Sequence, residues 1–253
     1  MPASPASARL TLGIATALLL AATSPAALAD AGKTAALQLR PEKPTQQMFD
    51  LIPRQYGDLS RMLALGERCK WMGQAERTAV QASADERLAW LALWGGKRAD
   101  ADAAAKAAIA LDAKLDCGSE QGTKLKGAVQ YGAWQMRTTW AMRAHALLDG
   151  NGRPAWLKGL SSVDKQRTAL EATLIGLKGR YAESVDPVLP TVLKDAERMA
   201  AAACPASNAA CPARAADPAF DTYAKAWIKL AEGYATVLAT TKDKVGEPPE
   251  LSK

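Results

Sequence analysis

TKLKGAVQYGAWQMRTTWAMRAHALL, residues 123–148, decides the fold. Apolar residues return every three or four positions for about 26 residues, which predicts a helix of ~39 Å at 1.5 Å rise per residue. Asp149-Gly150-Asn151-Gly152 stops it. At 100° per residue Leu125, Val129, Met136, Trp140 and Leu147 fall within about 60° of one another and form the core side. Tyr131, Trp134, Thr138 and His145 lie on the opposite side. A helix apolar on both faces belongs at the centre of a bundle. The second stripe mixes rings with hydrogen-bonding groups, as pockets between helices do, so these four residues are the candidate binding face. Their alternative is a set of satisfied core side chains.

On both sides of this stretch the same period continues, and nowhere do apolar and polar residues alternate long enough for a convincing strand. The expected class is all-α, a compact bundle of roughly six to eight helices, with residues 58–240 as the helical domain. Residues 30–57 read as an irregular leader, because Pro41, Pro44 and Pro53 oppose a long helix. Asp58 is the expected cap of the first helix, which Gly73 ends. Ser83-Ala84-Asp85-Glu86 has the form of a capping box, placing a helix start there. Gly95-Gly96 separates that helix from an alanine-rich one over about Arg98–Leu115. Ser161 and Asp164 suggest another box, opening a helix toward Arg180, and Thr191 the cap of a helix reaching Cys204. Asp217-Pro218 is a strong start signal, after which Phe220, Tyr223, Trp227, Ala231, Tyr234 and Leu238 share one face. The charged tail 241–253, with Pro248-Pro249, reads as disordered.

Residues 1–29 have the three-part layout of a signal peptide: Arg9, the apolar run Leu10–Ala22, then Ala27-Leu28-Ala29. The run is too short for the about 20 residues a spanning helix needs, so the mature chain is expected to be free, exported and not an integral membrane protein. The four cysteines fit that address. An even number in an exported chain favours two bridges, and chain proximity favours Cys204 with Cys211, leaving Cys69 with Cys117. Spacings this wide do not resemble a zinc site.

Charge is unevenly spread. Residues 123–180 hold 10 basic and 3 acidic side chains, whereas 30–122 hold 13 of each and 181–253 hold 8 and 10. A concentrated positive field favours anionic partners, which outside the cytoplasm means envelope components and not nucleic acid. Arg137, Arg143, Arg153 and Lys158 are the candidate anion contacts, and the alternative is pairing with acids on other helices. His145 is the only histidine, which removes histidine-rich metal sites. No serine sits in a nucleophile elbow, and no phosphate loop or haem attachment motif is present. No catalytic residue, metal or cofactor is therefore assigned. Paired carboxylates drawn from Glu67, Glu76, Asp85 and Glu86 could still cleave a glycoside.

These observations point to a secreted or periplasmic helical binding or adaptor protein of the cell envelope, non-enzymatic, with an envelope protein or anionic envelope component as partner. An envelope hydrolase using paired carboxylates is one alternative, and a toxin-neutralising or chaperone-like periplasmic protein another. An enzyme requires two carboxylates converging in a cleft, one with its pKa pushed upward.

Overall fold

The computed structural model describes residues 38–148 and 186–241 except Ala206, together with Pro154, Trp156, Leu157, Gln166 and Ile175. All belong to one compact unit, Ala36–Lys253. The signal-peptide layout, most of the 161–180 helix, Arg153, Lys158 and the tail beyond Thr241 lie outside the described residues.

The described residues form six α-helices and no strand: α1 Gln46–Arg68, α2 Gln74–Leu93, α3 Arg98–Ala110, α4 Glu120–Ala146, α5 Leu189–Ala203 and α6 Pro218–Thr240. Helix α1 corrects the expected leader. It starts at Gln46, where the Thr45 hydroxyl accepts from the Met48 amide at 3.3 Å, and it runs through Pro53. The proline removes one backbone donor, but Ile52 beside it is buried with Leu91 and Ala101, against Phe49, Tyr56 and Trp90. Burying one such side chain is worth about 1.5–3 kcal/mol, comparable with the roughly 3 kcal/mol a mid-helix proline costs. Asp58 is therefore a mid-helix residue and not a cap.

Helix α1 ends before Gly73, at Arg68. The Trp71 amide donates to the Gly66 carbonyl at 3.0 Å and Cys69 to Leu65 at 2.9 Å, with Lys70 between them at φ 56°. This is a Schellman-type stop with lysine at the position glycine normally holds.

Helix α2 corrects the capping box. It passes through Ser83 without interruption, and both Ser83 and Glu86 are buried in its middle. It packs on α1, α4 and α6. Helix α3 lies along α1, so close that a Cβ on Gly57 would meet the Ala104 carbonyl oxygen at 2.9 Å. The turn after α3 is held from α1. Arg61 makes a two-point contact with Asp112, and Arg68 Nη1 donates to the carbonyls of Asp112 at 2.9 Å and Ala113 at 3.2 Å. Helix α4 starts at Glu120, three residues before Thr123, with the Ser119 hydroxyl accepting from the Gly122 amide at 3.0 Å. Asp217 caps α6 as expected, accepting from the Phe220 amide at 3.1 Å.

The largest core lies among α2, α4, α5 and α6, around Trp140, Leu147, Met199, Phe220, Trp227 and Tyr234. A second joins α1, α2 and α4 through Leu59, Leu65, Trp71, Val80 and Val129. Both expected disulfides are present, Cys69–Cys117 with Cα atoms 5.7 Å apart and Cys204–Cys211 at 5.8 Å. The first joins the end of α1 to the turn before α4. Among the described residues no helix is long and apolar enough to cross a membrane.

Candidate functional site

The stripe expected on α4 is only partly assembled as a group. Tyr131 and Trp134 stack with centroids 6.1 Å apart, and the Thr138 hydroxyl donates to the Trp134 carbonyl at 3.0 Å. His145 stands in the last turn of α4. All four residues are half-buried.

Arg137 and Arg143 require a correction. They turn toward acids on α2 and do not offer an anion contact: Arg137 Nη1 is 2.6 Å from Glu76 Oε1, and Arg143 Nη1 is 2.7 Å from Glu86 Oε2. Arg137 is only 5 % exposed. The cause is α4's central position, since a helix covered on two sides presents little surface to solvent.

Around Arg143 the four helices of the main core share a polar knot. Its guanidinium lies 4.6 Å from the Trp140 ring and 5.7 Å from that of Trp227, both within cation–π range. The Tyr223 hydroxyl on α6 donates to Glu86 Oε1 at 3.4 Å. Ser83 donates to the Ala79 carbonyl at 2.9 Å and accepts from the Trp140 indole N–H at 2.9 Å. Burial opposes the charged form of Glu86, yet the Arg143 guanidinium, with Arg87 and the Tyr223 hydroxyl, holds its carboxyl below the usual carboxylate range. Burial, reinforced by the Glu86 charge, pushes the Tyr223 phenol well above its ordinary value. Asp195 on α5 is also pushed up by burial, against the pull of Arg198 and Arg143. A carboxylate fixed in its charged form by an arginine is a poor proton donor.

The acids singled out from sequence thus divide in two. Glu76 and Glu86 are occupied by arginines, whereas Glu67 and Asp85 stand on the rim of a groove. That groove, about 650 Å³ in volume, lies over α2 between α1 and α6. Leu63 of α1, Ala82 of α2, and Ala226 and Leu230 of α6 supply its apolar surface. Its rim carries both signs, Glu67 and Asp85 against Arg77 and Lys229, and the Gln81 amide donates to Asp85 at 2.9 Å. A smaller hollow of about 180 Å³ lies beside the Arg61–Asp112 pair. Among the described residues no group of three or more histidine, cysteine or acidic side chains could hold a metal ion.

Gly233 marks the groove in a second way. Gly57, Gly66, Gly122 and Gly132 each lie where an added Cβ would come within 3 Å of another part of the fold. At Gly233, also inside a helix, nothing lies within 4 Å among the described residues. A mid-helix glycine costs roughly 0.5–1 kcal/mol relative to alanine, and no internal packing offsets it here. The sequence signal was present, since a lone glycine stands inside the helix that carries the Tyr223–Leu238 face, off that face. What it borders only the packing of α1, α2 and α6 reveals.

Comparison with known protein families, curated proteins and solved structures finds no match for this chain.

Proposed function

We propose that this is an exported, non-enzymatic binding or adaptor protein of the cell envelope whose contact site is the groove over α2. The observation that carries this reading is the groove itself, an open concave surface with an apolar floor and a charged rim of both signs. Sites of that composition suit recognition of a macromolecular partner, where the apolar centre contributes affinity and the rim contributes register. Two disulfides and a signal-like N-terminus support an oxidising address. The arginine-neutralised Glu76 and Glu86 weigh against the carboxylate hydrolase. A chaperone-like or toxin-neutralising role differs from this one only in the partner.

Two measurements test it. N-terminal sequencing of the native protein should find Asp30 as the first residue, in the envelope fraction. A photo-crosslinker at Leu230 should trap an envelope protein that one at Lys106, exposed on α3, does not. A native chain that keeps Met1 in the cytoplasm, or equal trapping at both positions, would overturn the reading.

A further inference from the structure

Both long walls of the groove repeat with the period of a helix. Thr78, Ala82 and Asp85 on α2, and Ala226, Leu230 and Gly233 on α6, stand at positions i, i+4 and i+7. Each row therefore follows its helix axis for about two turns, or ~10.5 Å. Packed helices lie about 8–10 Å apart between axes, and the approach is nearest where side chains are small. A helix laid above α2 between α1 and α6 would rest on three neighbours at once. Gly233 and Ala226 are where its backbone could come closest.

Gly233 is the observation that favours a polypeptide occupant. Gly57, Gly66, Gly122 and Gly132 each make room for a neighbouring part of the chain, whereas a Cβ at the helical Gly233 would meet nothing within 4 Å among the described residues. The rim adds charge complementarity. Glu67, Arg77 and Lys229 are exposed, and neither they nor Asp85 form an ion pair among the described residues. Acids and bases are both available, so the matching surface carries both signs beside its apolar stripe. A purely anionic lipid or polymer would leave Glu67 and Asp85 repelled.

We propose that the α1/α2/α6 groove receives an amphipathic α-helix of another protein, seated along α2 with a small residue against Gly233 and charges of both signs on its flanks. This rests on the groove being the contact site, as proposed above.

The test is a displayed library of 18-residue helical peptides, randomised on one face and selected on the oxidised full-length mature protein. Selected helices should combine an apolar i, i+4, i+7 stripe with flanking acids and bases. By fluorescence anisotropy Gly233→Leu should bind them at least about tenfold more weakly, since a filled groove loses its central contacts. Its circular-dichroism melt should be no lower than that of the native protein, and Gly233→Ala should fold with weaker binding of intermediate size. The paired reversal Asp85→Lys with Lys229→Glu should weaken binding about threefold and change its salt dependence.

Recovery of no helix, or equal affinity for Gly233→Leu, would overturn the proposal. So would a self-associated native protein in sedimentation that Gly233→Leu renders monomeric, because the occupant would then be a second copy. If the Leu230 crosslink to an envelope protein persists in excess selected peptide, the helix proposal fails and the binding reading stands. If that crosslink itself never forms, the binding reading fails.

Discussion

Lys70 occupies a left-handed backbone conformation, φ 56°, that costs an L-residue about 1–2 kcal/mol and glycine almost nothing. Lys70→Gly is therefore expected to stabilise the protein by about 0.5–1 kcal/mol, after subtracting glycine's greater freedom in the unfolded chain. A urea melt with an unchanged or lower midpoint would contradict this. Glu86 predicts the opposite behaviour. Replacing it with glutamine strands the Arg143 charge in the core, and breaking a buried pair from one side costs about 3–5 kcal/mol. Glu86→Leu with Arg143→Met should recover most of that loss, because neither charge then remains to be solvated. The pH dependence follows from the direction of the shift. The carboxyl of Glu86 lies below its ordinary 4.5 in the folded state, so its contribution is present above that value and disappears as pH falls through the folded one. Thermal melts of the native protein should drop on this acid limb, and those of the Leu/Met variant should drop less.

Two glycines in helices show how the same substitution changes sign with its surroundings. Gly57→Ala would press a methyl against the backbone of α3, 2.9 Å from the Ala104 oxygen, and backbone cannot rotate aside. Separating α1 from α3 should cost about 1–3 kcal/mol, more than the helix propensity gained. Gly233→Ala meets open space on α6 and should stabilise by about 0.5–1 kcal/mol. Thermal denaturation of both variants checks the pair, and two shifts of the same sign would refute it. The misread element starts have the same origin. Pro53 and Ser83 carry local signals against helix continuation, and both lie within continuous helices because their neighbours Ile52, Ala82 and Ala84 are buried. Local preferences of a few kcal/mol yield to burial on several sides.

Across the whole molecule, the disulfides constrain different spans. Cys69–Cys117 closes a loop with a sequence separation of 48, and Cys204–Cys211 one of 7. Chain entropy assigns about 4 kcal/mol to the first and about 2.5 kcal/mol to the second. Cys69→Ser with Cys117→Ser should consequently lower the denaturant midpoint more than Cys204→Ser with Cys211→Ser. Equal losses would mean that strain or residual unfolded structure, not loop closure, sets the contribution. The first bridge also stands near the groove wall, following α1, so its loss should weaken any ligand held there as well.

The all-helical class and both cysteine pairings could be read from the sequence because each depends on something local: a 3.6-residue period, a cap, or the distance along the chain between thiols. So could the central place of α4, from its two apolar stripes. The role of its arginines could not. Helical period predicts that Arg137 and Arg143 leave the axis in particular directions, but not that α2 supplies Glu76 and Glu86 to meet them. The groove was hidden for the same reason. Leu63, Ala82 and Leu230 are unremarkable in their own helices, and become one surface only when three helices pack side by side, a relation between residues far apart in the chain.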